Sequence, residues 1–241
     1  MKKAIILTIC LLITTSYLTA QSTEKLDLFF KLSDYFLKRH VYNGLVNYRY
    51  STENSGEIEL LHKTIGEVDL TNASALEKKA FWVNAYNLLV IYQITKSYPL
   101  ARPLDKDGFF DKTSYSVAGE QLNLNELETR MLTTFDDPRF HFVLACGAMS
   151  CPKLYNLAFK PENVDKLMDE RTKLALNDEN FTRVNQSGSL VELSKIFEWY
   201  QKDFEKNGQS IVGFINTYRE NKIPSGSQLS YYEYDWTLNE R

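Results

Sequence analysis

Apolar residues recur at helical spacing over much of the chain. In the first such stretch Leu26, Phe30 and Leu37 fall on one face, which is typical of an amphipathic helix that packs on a core. The longest stretch is apolar around most of its circumference, so it is predicted to be the central buried helix. The predicted helices are Thr23–Arg39, Glu57–Ile65, Ser74–Ser97, Asn123–Thr133, Pro161–Leu176 and Ser210–Arg219.

Shorter segments rich in β-branched and aromatic residues lie between these helices and predict strands. Together they predict an α+β fold, a single and mostly helical domain of residues 21–241 around a small antiparallel or mixed sheet. The predicted β elements are hairpins at Ser114–Leu122 and Thr182–Leu193, a buried strand at Arg139–Ala145 and a last strand at Leu229–Leu238, with Val41–Tyr50 as loop or short extended chain.

The first twenty residues have the three-part layout of a secretory signal peptide. Lys2 and Lys3 precede the apolar run Ala4–Ile13, and small and polar residues follow as far as Ala20. The alternative is a membrane anchor, but the apolar run is short against the roughly 20 residues that cross a bilayer. The sequence therefore predicts cleavage after residue 20 and a mature chain that is exported, either periplasmic or extracellular, and not an integral membrane protein.

Charge and composition limit the partners of the mature chain. The formal net charge of −3 becomes −5 when the signal peptide takes two lysines with it. A mildly acidic domain without clusters of Lys and Arg lacks the electrostatic footprint of a nucleic-acid-binding protein. The hydrophobic content of 44% is sufficient for a packed core and argues against disorder. The expected partner is a small molecule, a peptide or a glycan.

The segment His141–Pro152 carries the most chemistry. His141 is an imidazole in an apolar context, either a satisfied core histidine or an oriented acid–base group. Cys146 precedes Gly147, where the backbone can turn sharply and expose nearby N–H groups suited to an oxyanion hole. On a strand, the parity of positions 141 and 146 would place these two side chains on opposite faces.

The mature chain keeps two cysteines, Cys146 and Cys151, for which four interpretations remain open. They form a structural disulfide, which an oxidising compartment would favour. Alternatively one of them is a functional thiol, or both are inert and buried. The fourth interpretation is a metal site, but the chain has three histidines and no pair of motifs at zinc spacing. No metal and no cofactor is predicted.

Two helices contribute further candidates. Asn84 and Asn87 stand three residues apart on one face of the predicted central helix. They either pin neighbouring loops through backbone hydrogen bonds, or Asn84 orients His141 or binds a ligand. Glu128 is a solvated helix charge, a partner of Arg139, or a site residue.

Several motifs in order along the chain resemble one family. They are Phe81–Asn87, Leu124–Leu132 with Glu128, His141–Pro152, Leu193–Tyr200 and Tyr234–Asn239. The order and content of these motifs, from about Val41 to Asn239, are similar to the bacterial and plant family called "domain of unknown function 547".

This resemblance implies a set of shared positions but no established activity. The set is Asn84, Asn87, Glu128, Arg139, His141, Cys146, Ser150 and Cys151. The chain departs from the pattern at Thr129, where many relatives carry a His.

Two hypotheses follow, and they leave open whether the protein is an enzyme. In the first it is a thiol-dependent hydrolase or acyltransferase of the cell envelope, in which Cys146 attacks, His141 is the base, and Asn84 or Glu128 orients the base. In the second it is a non-catalytic envelope binding module with a Cys146–Cys151 disulfide and a Tyr/Trp-rich surface for a glycan or peptide. The binding candidates are Asn87, Arg139, Ser150 and Cys151. Both hypotheses require the 139–145 segment to lie beside the amide-bearing face of the central helix.

Overall fold

The computed structural model describes residues 24–179 and 181–241, apart from the side chain of Asn207. The predicted signal peptide, residues 1–20, lies outside the described residues. Within them, no helix combines the length and the apolar character that a membrane span requires.

Helices make up most of the described chain, as the apolar periodicity predicts. They are α1 (24–40), α2 (Tyr48–Glu53), α3 (Gly56–Glu67), α4 (Ala75–Ser97), α5 (Leu124–Phe135), α6 (Val164–Asn177), α7 (Lys195–Trp199), α8 (Gln201–Phe204) and α9 (Ile211–Tyr218), with short 3₁₀ helices at Pro103–Asp105, Pro138–Phe142 and Lys206–Gly208.

The strands form three small sheets. Two are antiparallel hairpins, and the third is mixed, because its middle strand pairs antiparallel with one neighbour and parallel with the other. The α+β prediction is confirmed. The hairpins are β1 (Val41–Tyr42) with β2 (Leu45–Val46), and β3 (Tyr115–Val117) with β4 (Glu120–Leu122); the mixed sheet is β5 (Thr182–Val184), β6 (Leu190–Leu193) and β7 (Gln228–Tyr231).

Helix α4 is the buried centre of the larger of two hydrophobic clusters. Its first turn is closed by a capping box, in which Ser74 and Glu77 satisfy each other's backbone N–H groups. Helices α3 and α5 pack on its sides. Because nearly every residue from Ala80 to Ile91 is buried, the polar side chains on this helix must find partners inside the protein.

A second hydrophobic cluster is formed by α7, α8, α9 and the mixed sheet. Phe142 reaches into it from the 3₁₀ helix and contacts the rings of Phe197, Phe204 and Phe214. The 139–145 segment therefore lies between the two clusters.

The prediction of a buried strand at Arg139–Ala145 is wrong. Pro138 begins a 3₁₀ helix that runs to Phe142, and the Asp137 carboxylate accepts a hydrogen bond from the backbone N–H of Arg139 at 3.1 Å. Pro at the first position and Asp before it favour a turn, and this local chemistry outweighs the β propensity of the apolar residues that follow.

The predicted last strand, Leu229–Leu238, is only partly regular. The ladder ends at Tyr231. The chain beyond it runs antiparallel to the cysteine loop, with a bridge between Ala148 and Leu238.

Candidate functional site

Asn87 fixes the position of the segment that leads into the cysteine loop. Its side chain donates to the carbonyl of Val143 at 2.9 Å and accepts from the N–H of Ala145 at 2.8 Å. The buried amide thus satisfies backbone groups that a neighbouring strand would satisfy if the segment were part of a sheet. The segment lies beside the amide face of α4, as both hypotheses require.

Asn84 fixes the backbone of a second loop, at Phe159, through its side-chain amide. It donates to the carbonyl of Phe159 at 2.7 Å and accepts from the N–H of Phe159 at 3.0 Å. A further hydrogen bond goes to the carbonyl of Ala80 in its own helix. Asn84 and Asn87 are both loop-pinning amides, which was one of the alternatives that the sequence left open.

Gly147 allows the chain to turn directly against α4. Its φ is +83°, and a Cβ at this position would lie 2.6 Å from Cδ1 of Ile94. The C-terminal segment then holds the loop from the other side, where Met149 donates to the carbonyl of Thr237 at 2.8 Å and Asn239 donates to that of Gly147 at 2.9 Å.

Cys146 and Cys151 form a disulfide that closes this loop. The backbone N–H of Cys146 lies 2.9 Å from Sγ of Cys151. The hydroxyl of Tyr234, on the C-terminal segment, lies 3.3 Å from Sγ of Cys146 and 3.2 Å from Sγ of Cys151. Burial raises the pKa of Tyr234, so its hydroxyl stays protonated and can donate to the sulfurs.

A pocket of about 280 Å³ opens beside the disulfide. It lies between the two hydrophobic clusters, with walls from α4, α5, the cysteine loop, α7 and the C-terminal segment. Aromatic rings dominate its surface. The described residues that line it are Tyr86, Phe110, Asn125, Glu128, His141, Leu144, Cys146, Cys151, Pro152, Ile196, Trp199, Tyr200, Tyr234 and Trp236.

His141 lines this pocket and is held by Asp203. Its Nε2 lies 2.8 Å from Oδ2 of the aspartate, and its ring lies 4.1 Å, centroid to centroid, from that of Tyr200. The hydrogen bond with His141 lowers the pKa of Asp203 and keeps this carboxylate charged. The side chain that bonds His141 is Asp203, on α8, whereas the Asn84 amide bonds Phe159 and Glu128 accepts from the hydroxyl of Tyr86.

The expected separation of His141 and Cys146 on opposite strand faces does not apply. Parity holds on a strand, whereas His141 lies on a 3₁₀ helix and the chain turns at Gly147. Both residues line the same pocket.

Glu128 lies on α5, lines the pocket and accepts hydrogen bonds from tyrosine hydroxyls. The hydroxyl of Tyr86 donates to Oε2 of Glu128 at 3.3 Å. Burial first, and then the negative charge of Glu128, raises the pKa of both Tyr86 and Tyr200. These two phenols therefore remain donors to the carboxylate.

Arg139 is not the partner of Glu128. Its guanidinium binds Asp137 at 2.7 Å and Asp169 at 2.8 Å, and Lys79 binds Asp165 at 2.7 Å in the same network. The hydrogen bond with Asp137 is the main cause of the raised pKa of Arg139. This network ties the 3₁₀ helix to α6 and lies apart from the described pocket lining.

Ser150 also has a structural position. Its hydroxyl accepts from the N–H of Asp235 at 2.9 Å and its backbone N–H donates to the carbonyl of Asp235 at 3.1 Å. Of the binding candidates, Cys151 lines the pocket, whereas Asn87, Arg139 and Ser150 shape the elements around it.

Sequence reasoning missed Asp203 and most of the aromatic lining. The rings belong to two motifs that the family resemblance contains, around Trp199-Tyr200 and around Tyr234-Asp235-Trp236. These two motifs are the part of the sequence from which the aromatic lining could have been predicted. For Asp203 the chain offers no local signal, because its partner lies 62 positions earlier.

Among the described residues, no three side chains of the His, Cys, Asp and Glu types come together as a ligand group.

Comparison with known proteins gives one match. Neither the curated proteins nor the solved structures contain a match to this chain. The family model described as "Protein of unknown function, DUF547" matches residues 70–174, a range that includes α4, α5 and the cysteine loop. The match supports the resemblance to the DUF547 family that the order of the motifs predicts.

Proposed function

We propose that the protein is an exported, non-catalytic binding module of the cell envelope, whose aromatic pocket takes a small ligand. The observation that carries the proposal is the pocket itself, lined by rings and bordered by the Cys146–Cys151 disulfide. Ligand sites are typically concave, largely apolar and equipped with a few polar groups that orient the ligand. His141 and Glu128 are such groups.

The disulfide argues against nucleophilic catalysis in this state. A cysteine attacks as a thiolate, and the sulfur of Cys146 is bonded to that of Cys151. The bond instead closes the loop between residues 146 and 151 and keeps one wall of the pocket in place.

The aromatic lining supports a ligand with an apolar or ring-shaped face, such as a sugar unit of a glycan or a side chain of a peptide. Trp and Tyr rings offer large apolar faces with polar tips. The volume of about 280 Å³ is close to the lower end of the roughly 300–1,000 Å³ of ligand pockets, so it suits one small group.

Export is proposed from the N-terminal sequence and is consistent with the disulfide, since such bonds persist in oxidising compartments. The test is cell fractionation with mass determination of the mature chain. We expect an N-terminus at Gln21 and recovery outside the cytoplasm. An uncleaved chain recovered in the cytoplasm would refute export.

Ligand retention tests the binding role. The mature protein is dialysed against the small-molecule fraction of a cell-envelope extract, and retained compounds are identified by mass spectrometry. The pocket variant is Trp199→Ala, and the control is Tyr42→Ala, whose ring is similarly exposed but does not line the pocket (49% and 57%). We expect compounds that wild type and Tyr42→Ala retain and Trp199→Ala loses. Equal retention by all three proteins, or none by wild type, would refute the proposal.

A second function, a thiol-dependent hydrolase, is favoured by the His141–Asp203 pair in the same pocket as Cys146. A dithiol reductant would supply the two electrons and two protons that convert the disulfide to two thiols. His141 would then take the Cys146 proton, and the thiolate would attack the carbonyl of an ester or amide. The C–O or C–N bond would break as a thioester forms, and the alcohol or amine would leave with the proton from His141. Water would then hydrolyse the thioester to the free acid and regenerate the Cys146 thiol.

Thiol titration separates the two functions. Protein purified without reductant should contain no free thiol and should not hydrolyse p-nitrophenyl acetate. Two free thiols, together with an esterase activity that Cys146→Ala removes and Tyr42→Ala keeps, would favour the hydrolase.

A further inference from the structure

We infer that the pocket selects a ligand with a positively charged ammonium group, held between Glu128 and the aromatic rings. The inference rests on the proposed binding role of the pocket and adds the chemical class of the ligand. It follows from the charge of the lining and from the arrangement of the rings.

Glu128 is the carboxylate of the lining, and the described part of the chain provides it with no ion pair. None of the described lining residues is Lys or Arg. The described donors to Glu128 are neutral phenols, the hydroxyl of Tyr86 at 3.3 Å and the hydroxyl of Tyr200. A half-buried carboxylate whose described hydrogen-bond donors are phenols has no positive partner, and a cationic ligand would supply one.

Nearby carboxylates show the contrast. Asp137, Asp165 and Asp169 each lie within 3.5 Å of a charged nitrogen of Arg139 or Lys79. Each of these carboxylates therefore has a cationic partner, whereas the described residues give none to Glu128.

His141 does not neutralise Glu128. Its Nε2 lies 2.8 Å from Oδ2 of Asp203, so the carboxylate that this ring contacts is Asp203. Asp203 is in turn contacted by Lys206 at 3.7 Å. The uncompensated charge in the lining is therefore that of Glu128.

The rings at the mouth of the pocket provide faces for a cation. Tyr234 lies 4.9 Å from Trp199 and 4.8 Å from Trp236, with interplanar angles of 52° and 54°. Phe110 continues the group at 6.5 Å from Trp236. Trp199 and Trp236 are themselves closer to parallel, 6.0 Å apart at 29°, and Tyr234 is inclined to both. Aromatic side chains recognise alkylated ammonium groups through the negative faces of their rings.

The test compares choline with its neutral isostere 3,3-dimethylbutan-1-ol, which has the same shape but a carbon in place of the charged nitrogen. Binding to the mature protein is followed by calorimetry and by tryptophan fluorescence. We expect choline to bind more tightly by about tenfold or more, because the charge adds both cation–π and carboxylate attraction. Equal affinity of the two compounds, or no binding of choline, would overturn the inference without requiring any variant.

Glu128→Gln then isolates the carboxylate, and Glu53→Gln, on the exposed surface of α2, is the control for the change in net charge. We expect the choline affinity to fall about tenfold or more in Glu128→Gln and to be unchanged in Glu53→Gln. Unchanged affinity in a folded Glu128→Gln protein would overturn the role of the carboxylate. If the protein retains neutral envelope compounds but does not bind choline, the proposed binding function holds. In that case the inference that the ligand carries an ammonium group is wrong.

The same head group occurs on free small molecules and on lipids. Flotation with phosphatidylcholine vesicles distinguishes these sources once choline binds. Co-flotation that excess choline prevents supports a lipid head group, and absence of co-flotation supports a free ligand.

Discussion

Nε2 of His141 lies 2.8 Å from Oδ2 of Asp203, across 62 positions of sequence. One residue lies on a 3₁₀ helix between the two hydrophobic clusters, and the other on the short helix α8. Their contact joins the cysteine-loop segment to the C-terminal part of the chain. Because His141 also lines the aromatic pocket, this contact helps to fix one wall of that pocket.

The buried amide of Asn84 should be essential to stability. Asn84→Leu adds apolar surface but leaves the N–H and the carbonyl of Phe159 without partners. With at least about 1 kcal/mol for each buried group, we expect the free energy of unfolding to fall by about 2 kcal/mol or more. Denaturant melts measure this loss, and Thr129→Leu on the exposed face of α5 is the control. Equal stability of wild type and Asn84→Leu would contradict the pinning role.

Gly147 should tolerate no side chain. Gly147→Ala combines a positive φ of +83° with a Cβ that meets Ile94 at 2.6 Å. We expect a loss of about 2–4 kcal/mol in denaturant melts, from backbone strain and from overpacking.

Gly119 offers the matched control for this substitution. It has nearly the same φ, +82°, but open space where a Cβ would stand. Gly119→Ala should therefore cost only the backbone part, about 1–2 kcal/mol. If both variants lose the same stability, contact with α4 does not restrict position 147.

Loss of the disulfide should lower stability by a modest amount. In the loop-entropy description, a bridge that closes so short a loop contributes about 2 kcal/mol. We expect Cys146→Ala/Cys151→Ala to melt at a lower temperature than wild type, and reductant to shift wild type toward the double variant. A melting temperature of wild type that does not respond to reductant would show that the cysteines are not bonded in solution.

His40 should make the protein less stable as the pH falls. Its ring is buried, stacks on Phe36 at 3.9 Å and bonds Ser51 and Glu57. Desolvation by burial is the main cause of its lowered pKa, and the Glu57 carboxylate offsets it only in part. The unfolded chain, with a His pKa of about 6.5, then binds the proton more readily than the folded one. Stability is therefore retained above about pH 6.5 and is lost as the pH falls through the lower folded pKa of His40.

Urea melts between pH 7.5 and pH 5.5 measure this effect, with His40→Gln as the comparison. The free energy of unfolding of wild type should decrease with falling pH more steeply than that of His40→Gln. Parallel curves would show that His40 does not contribute to the pH dependence.

Local patterns determined much of this protein. Apolar periodicity identified α4, and Ser74 and Glu77 marked its first turn, because helix formation and capping depend on residues within a few positions. The hairpins β3–β4 and β5–β6, and the DUF547 motifs with their cysteine loop, could also be identified from the sequence.

Only the tertiary structure decided what those residues do. The packing of distant elements decides three pairings. Asn84 bonds Phe159 and not His141, and Arg139 binds Asp137 and not Glu128. The carboxylate that bonds His141 is that of Asp203. The apolar 139–145 segment became a 3₁₀ turn because Pro138 and Asp137 set its start and the Asn87 amide satisfied its backbone. Partners of this kind are chosen by proximity in the folded chain, where each buried polar group must be bonded, and spacing along the sequence does not encode that proximity.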